Sequence, residues 1–219
     1  MSTRERSWPV PVALVALSAI PLTAGTLRLI QLAGGPAVIP ADQRFAGLAI
    51  PLVLHILAAA TFALAGILQF VPRFRRRHRV WHRRAGRGLV VAGLLVAGSA
   101  LWLTFFYEAQ PGTGEARFVF RLVFGSALAA CLVLGVAAVR RGDIASHRAW
   151  MMRAYAIGLG AGTQVFTEGI GGAIFGTGVL AGDLAKGAAW VINLAIAEWL
   201  LRRRPARRRL TLSTAGALS

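Results

Sequence analysis

The stretch from Val71 to Gly88, VPRFRRRHRVWHRRAGRG, holds eight arginines and two histidines between two long apolar runs. The runs read LVLHILAAATFALAGILQF before it and LVVAGLLVAGSALWLTFFY after it. Each run approaches the ~20 apolar residues that a helix needs to cross the hydrocarbon core of a bilayer. Short arginine-rich links between two such runs are typical of cytoplasmic loops in membrane proteins. The stretch therefore predicts a chain that crosses a membrane several times.

Composition excludes several classes of protein. The chain is 56% hydrophobic and only 15% charged, with a formal net charge of +17. That charge alone would suggest a nucleic-acid partner, but nucleic-acid modules do not carry repeated apolar runs of membrane-spanning length. We therefore predict a lipid bilayer as the partner and no nucleic acid. Cys131 is the only cysteine, which excludes a disulfide framework and a thiolate metal cluster.

Apolar runs and charged links divide the chain into three parts. We predict a cytoplasmic N-terminus over 1–9, an all-α membrane domain over 10–201 and a basic, disordered cytoplasmic tail over 202–219. The domain is predicted to be a bundle of about six transmembrane helices, spanning roughly 10–32, 47–71, 88–107, 118–139, 149–168 and 183–201. The first run also fits a signal peptide, since it follows a basic start. Removal of that run would leave five spans in the same orientation.

The placement of arginine and lysine predicts the orientation. With the N-terminus inside, the inside segments hold two basic residues before the first span, eight in the second-to-third loop, four around the fourth-to-fifth loop and six in the tail. The outside segments hold only Arg44, Arg117 and Lys186. This bias predicts a multi-pass protein of the bacterial plasma membrane with both termini in the cytoplasm. Anionic lipid head groups are a second explanation for the same basic loops.

Several polar side chains fall within the predicted spans, where they are costly and therefore functional candidates. His55, Arg28, Arg121 and Glu168 are all expected in the outer half of the bundle. Gln164 and Glu168 lie on one polar stripe of the fifth predicted span. We predict an ion pair between Arg121 and Glu168. The alternative is that Arg28, Arg121 and Glu168 extend separately to the outer interface.

Two histidines open predicted spans at the cytoplasmic side. His82 and His147 are each followed by arginine, and each has a tryptophan nearby, Trp81 and Trp150 respectively. Two imidazoles at one depth on different helices can hold a haem iron from both faces, with arginines for the propionates. The alternative is that both are interfacial residues that contact head groups or cap helices. His55 stays open as a hydrogen-bonded core residue, a proton relay or one axial ligand.

Three segments carry a resemblance to a known family. HILAAATFALAGILQF, the loop ending HRRAGR and DIASHRAWMMRAYAIG resemble the bacterial predicted membrane proteins of the domain of unknown function 2306 family, from about Phe45 to Leu200. That pattern is in turn similar to transmembrane two-haem b-type cytochromes and ferric-reductase-like proteins, which use four histidines on four consecutive helices. Here the fourth span supplies Arg121 instead of a histidine. The resemblance therefore implies at most one complete haem site, between His82 and His147.

Three functions follow as hypotheses, and whether the chain is an enzyme is left open. The first is a redox protein that holds one b-type haem through His82 and His147 and exchanges electrons with quinol. The second is a small-molecule transporter or permease that uses the outer cluster of His55, Arg121, Gln164 and Glu168. The third is a structural or assembly partner of another membrane complex. The sequence leaves oligomer formation open.

Overall fold

A computed structural model describes residues 9–203, which form α-helices and one short 3-10 helix and contain no β-strand. The 3-10 helix is Gln43–Phe45. The α-helices, in chain order, are α1 (Pro9–Leu32), α2 (Ile50–Phe70), α3 (Pro72–Arg77), α4 (Arg79–Phe106), α5 (Glu115–Arg140), α6 (Ile144–Gly158), α7 (Gly160–Phe175) and α8 (Val179–Arg202). The prediction of an all-α protein is confirmed over this range.

Helix boundaries follow local chemistry. Pro51 stands in the first turn of α2, where its missing N–H costs nothing. Gly142 ends the turn after α5 with a φ of 77°, a conformation that only glycine adopts readily. Asp143 then caps α6, because its carboxylate accepts a 2.9 Å hydrogen bond from the Ser146 amide. The chain thus reverses between α5 and α6 within three residues.

The core lies between α2, α4, α5 and α6. Its centre is the ring of Phe62 on α2, which packs against Gly93 of α4 and Gly158 of α6. A Cβ at either glycine would collide with that ring, so the two glycines permit the close approach of three helices. Tyr155 of α6 reinforces the contact by donating a 2.7 Å hydrogen bond to the Ala63 carbonyl.

Large apolar side chains cover the outside of the bundle. Leu57 on α2, Val91 on α4, Val133 on α5 and Val191 on α8 are all more than half exposed. A soluble protein rarely exposes so much continuous apolar surface, whereas lipid tails are its natural surroundings. Five helices are long and apolar enough to cross a bilayer: α1, α2, α4, α5 and α8. The chain is therefore a multi-pass membrane protein.

The bundle has two ends. We call the end that carries residues 71–78 and 141–143 the basic end, and the end that carries residues 33–49, 107–114 and 176–178 the opposite end. The predicted N-terminal segment and basic tail lie outside the described residues, apart from Pro9, Arg202 and Arg203.

One predicted span differs in form from the prediction. The segment 149–168, predicted as a single fifth span, is divided between α6 and α7, which meet at Leu159. Each of these helices is too short to cross the hydrocarbon core at ~1.5 Å per residue, but together they cover 144–175. α8 begins at Val179, four residues before the start predicted for the last span.

Asn193 of α8 stabilises the break between α6 and α7. Its Nδ2 donates a 3.0 Å hydrogen bond to the carbonyl of Ala156, in the last turn of α6. Its Oδ1 accepts a 2.8 Å hydrogen bond from the Thr163 hydroxyl in the first turn of α7. Helix ends leave backbone groups without intrahelical partners, and hydrocarbon offers no replacement. One amide therefore ties both sides of the break to the neighbouring helix.

We expect Asn193→Leu to lower the free energy of unfolding by about 1–3 kcal/mol, because it removes both hydrogen bonds inside the bundle. Thr163→Val removes only the second bond and should cost less than half as much. Thermal unfolding of the purified full chain in a neutral detergent measures both changes. Equal losses from the two variants would show that the bond to Ala156 contributes nothing.

Candidate functional site

The two histidines of the predicted haem site lie at the same end of the bundle. His82 is in the first turn of α4 and His147 is in the first turn of α6, both at the basic end. The two helices are in contact with each other. The structure thus brings to one end of the bundle two side chains that are 65 positions apart in the sequence.

A backbone carbonyl fixes the tautomer of His147. Its Nδ1 lies 2.9 Å from the carbonyl oxygen of Gly135 on α5. A carbonyl can only accept, so Nδ1 carries the proton and donates it. In the neutral imidazole the lone pair is then on Nε2, which is the arrangement of histidines that bind metals.

His82 and Gln69 present polar atoms that the rest of the described chain does not satisfy. The Nδ1 of His82 and the Nε2 of Gln69 are buried and without a hydrogen-bond partner among the described residues, and no other buried side-chain nitrogen or oxygen there shares this condition. Gln69 faces α4 at Gly86, which is one helical turn after His82 and therefore on the same face. The two unsatisfied nitrogens thus belong to one region, which we call the Gln69–His82–His147 cluster.

Charged and aromatic groups surround this cluster. Arg75 and Arg83 act electrostatically on His82. Arg153 of α6 stacks over Trp150 with 4.7 Å between its guanidinium carbon and the ring centre, and its Nε is 2.5 Å from a carboxylate oxygen of Glu198 on α8. Within residues 9–203, no three His, Cys, Asp or Glu side chains are arranged to hold a metal ion. Any metal at this end would therefore depend on the histidine pair.

His55 lies toward the opposite end. Its Nδ1 is 3.0 Å from the Ser99 hydroxyl, which itself donates to the Leu95 carbonyl at 2.5 Å. Because the hydroxyl proton is already used, Nδ1 of His55 is the donor to Ser99 Oγ. Ser99 follows His82 by 17 positions on α4, or about 25 Å along the helix. His55 and His82 therefore belong to separate sites.

The ion pairs at the opposite end differ from the predicted one. Glu168 of α7 is 2.7 Å from Lys186 of α8, so the predicted pair with Arg121 is wrong. The prediction placed Lys186 outside the membrane, whereas α8 carries it along the face that meets α7. Gln164 faces α8 as well, with its amide donating to the Lys186 carbonyl at 3.4 Å. The predicted polar stripe of α7 thus points at α8.

A second ion pair, which the sequence analysis did not identify, joins α5 to α8. Asp183 is completely buried, and its Oδ1 lies 2.9 Å from Nε of Arg117. Its Oδ2 accepts hydrogen bonds from the backbone amides of Gly114 and Arg117, at 2.9 and 3.1 Å. Asp183 therefore caps the N-terminus of α5 from another helix, where a negative charge also interacts well with the helix dipole.

The loop after α1 carries its own charges. Asp42 and Arg44 form a 2.5 Å ion pair, and the hydrogen bond from Arg44 lowers the pKa of the Asp42 carboxyl. Arg28 near the end of α1 donates to the side-chain oxygen of Gln31 at 2.5 Å. Four predicted intramembrane residues thus have partners, since Arg28, His55, Gln164 and Glu168 are all bonded.

Arg121 is the exception among the predicted intramembrane polar residues. It is half-buried on α5 and forms no ion pair or hydrogen bond with another described side chain. It lines a cavity of about 230 Å³ together with Arg117, Glu108, Tyr107 and Thr104. The arginines Arg117 and Arg44 act on it electrostatically, opposed by Asp183.

We expect Asp183→Asn to lower the free energy of unfolding by about 3–5 kcal/mol, because it leaves the guanidinium of Arg117 buried without its counter-charge. Glu168→Gln is the matched control. Its carboxylate is 38% exposed, so the loss should stay within about 1 kcal/mol. Chemical unfolding in detergent measures both values. A loss at Asp183 no larger than that at Glu168 would contradict the role assigned to the buried pair.

Comparison with known proteins identifies the family. Residues 52–201 match the family model described as "Predicted membrane protein (DUF2306)". This confirms the resemblance predicted over 45–200. Neither the curated proteins nor the solved structures gave a match. The match covers more than half of the chain, so the protein belongs to the DUF2306 family of predicted membrane proteins.

Proposed function

We propose that this protein is a membrane redox protein that binds one b-type haem through His82 and His147 and exchanges electrons with quinol at the basic end. The observation that carries the proposal is the pair of buried, unsatisfied nitrogens on His82 and Gln69 beside His147. A buried polar atom without a partner costs about 1–3 kcal/mol. A ligand that engages these atoms removes that cost.

The residues of the cluster fit a haem. His147 has its Nδ1 proton bonded to the Gly135 carbonyl, which leaves Nε2 as the coordinating nitrogen. His82 supplies the second imidazole from the neighbouring helix, and its buried nitrogen has no competing partner in the described chain. A bound b-type haem would supply one-electron chemistry, with its potential set by these two ligands and their surroundings.

The other residues of the cluster have distinct roles in this proposal. Arg75 and Arg83, whose charges already act on His82, would neutralise the two propionates. The Gln69 amide would donate a hydrogen bond to an oxygen of the quinol ring. Aromatic and apolar side chains of α2, α4 and α6 form the core that continues from the basic end into the bundle. His55 takes no part, because its partner Ser99 lies about 25 Å from His82 along α4.

The haem prediction is tested by the visible spectrum of the purified full chain, produced in cells supplied with a haem precursor. We expect about one haem per chain, with an absorption band that shifts on reduction by dithionite. His82→Ala and His147→Ala should each abolish at least nine-tenths of this absorbance, since either change removes an axial ligand.

Two matched controls make this test specific. His78→Ala removes an exposed histidine from the same loop, and His55→Ala removes the histidine at the opposite end; both should retain the haem. Loss of haem in His55→Ala but not in His82→Ala would move the site and contradict the proposal. A colourless wild-type protein that also fails to bind added haemin would overturn it.

We also propose six membrane crossings, with α6 and α7 together forming the fifth, and with the basic end in the cytoplasm of a bacterial cell. The support is the concentration of arginine at that end: residues 71–88 alone hold eight arginines. Six charged side chains at the opposite end instead form ion pairs, as Asp42–Arg44, Arg117–Asp183 and Glu168–Lys186.

Cysteine labelling tests this orientation. In a Cys131→Ala background, Gln110→Cys should react with a membrane-impermeant maleimide on intact cells, because residue 110 lies in the loop at the opposite end. Arg76→Cys should react only after lysis. The reverse pattern would place the basic end outside and contradict the proposed topology.

A further inference from the structure

We propose that the cavity beside Arg121 is a binding site for an oxyanion, either a carboxylate or a phosphate group. The site lies at the end of the bundle opposite the histidine pair and is independent of haem. Its ligand would be recognised by the guanidinium of Arg121, which has five N–H donors and matches the two oxygens of a carboxylate or phosphate.

The charge of Arg121 is unpaired among the described residues. Charged side chains inside a membrane protein are costly unless they are paired or reach water. Three other cations at this end have carboxylate partners: Arg44 has Asp42, Arg117 has Asp183 and Lys186 has Glu168. A fourth, Arg28, donates to the side-chain oxygen of Gln31. Arg121 has none among the described residues, although it is half-buried. A bound anion would provide the missing counter-charge.

A cavity large enough for a small anion lies beside Arg121. The cavity of about 230 Å³ is lined by Arg121 together with the polar residues Thr104, Tyr107 and Arg117. A water molecule takes about 30 Å³ of liquid volume, so this space accepts a phosphate or a small carboxylate. Thr104 already donates to the Ala100 carbonyl at 2.7 Å, which leaves its oxygen free to accept a hydrogen bond from a protonated phosphate.

The charges that face the cavity also affect the binding of an anion there. Arg117 is neutralised by Asp183, and the positive charges of Arg117 and Arg44 act on Arg121. Glu108 is exposed and lines the same cavity, so it is the one carboxylate there that would repel an anion. Its removal should therefore strengthen binding. If Glu108 is instead the natural counter-charge of Arg121, its removal should weaken anion binding.

The ligand has two possible sources, which share this chemistry. The cavity includes Phe118, which is 43% exposed on the apolar outside of the bundle, so a phospholipid head group can enter from the bilayer. The loops of the opposite end also give access from water, so a free anion can enter as well. The two sources are distinguished by whether the anion remains with the protein through purification.

The test uses the purified full chain in a phosphate-free, neutral detergent. Phosphorus analysis first counts the phospholipids that remain bound. Thermal unfolding is then followed while inorganic phosphate or acetate is added. We expect either about one retained phospholipid per chain or a saturable rise of several degrees in Tm with one of the anions. Retention indicates the lipid source, and the rise in Tm indicates the free anion.

Variants decide whether Arg121 is responsible. Arg121→Gln should abolish the retained lipid or the rise in Tm. Arg28→Gln removes the same charge at the same end but outside the cavity, and should leave the response unchanged. Glu108→Gln should lower the apparent Kd for the anion at least about threefold, because it removes a like charge.

Several outcomes would overturn the proposal. One is a wild-type chain that retains no phospholipid and responds to neither anion. Another is an Arg121→Gln variant that responds as the wild type does. A third is a Glu108→Gln variant that binds more weakly and is less stable than Arg121→Gln, which would make Glu108 the partner of Arg121. The visible spectrum should be unchanged in all these variants, so failure here leaves the haem proposal intact.

Discussion

Hydrocarbon offers no hydrogen bonds, and this constraint governs how the bundle is assembled. Each polar group inside the membrane must find its partner within the protein. Two side chains of α8 meet this requirement for other helices: Asp183 caps α5, and Asn193 bonds both sides of the break between α6 and α7. Tyr155 does the same for α6 and α2 through the Ala63 carbonyl. Helices are thus joined by polar contacts at defined points, while glycines allow the apolar faces between those points to pack closely.

The exceptions to this rule identify the candidate sites. In the Gln69–His82–His147 cluster, two buried nitrogens lack hydrogen-bond partners among the described residues. At Arg121, a guanidinium lacks a counter-charge in the same part of the chain. These regions lie at opposite ends of the bundle, and their side chains suit different classes of ligand. Neutral imidazoles suit a metal centre, whereas a guanidinium suits an anion. Each unsatisfied group costs stability in the empty protein, and a ligand that satisfies it is stabilising by the same reasoning.

The sequence predicts the class of this protein because the relevant signal is local. Runs of apolar residues identify membrane helices without knowledge of their neighbours, and the family comparison supports that class. The break at Leu159 is different, since GLGAG sits in an apolar run that continues on both sides. What makes the break stable is Asn193, more than 30 positions away on another helix. The sequence shows that the Asn193 amide stands in an apolar run. It does not show which groups that amide bonds to.

The ion pairs show the same limit in another way. Asp183 is the first residue of the last predicted span; α8 begins one turn earlier at Val179, which carries Asp183 into the bundle. The sequence does carry one signal of this burial: Asp183 is followed three positions later by Lys186 within an apolar run. Gln69 could have been noticed as the last polar residue before the basic loop. Its relation to His82 depends on the pairing of α2 with α4, which the sequence alone does not give.

The position of α8 has a consequence for the synthesis of the protein. During translation α5, α6 and α7 leave the ribosome before α8, so they enter the membrane while the start of α5 and the broken helix still lack the groups that α8 provides. Until Asp183 and Asn193 arrive, Arg117 has no counter-charge and the Ala156 carbonyl lacks its donor. The packing of α8 against α5 and against the α6–α7 break therefore completes the polar contacts of helices that precede it in the chain.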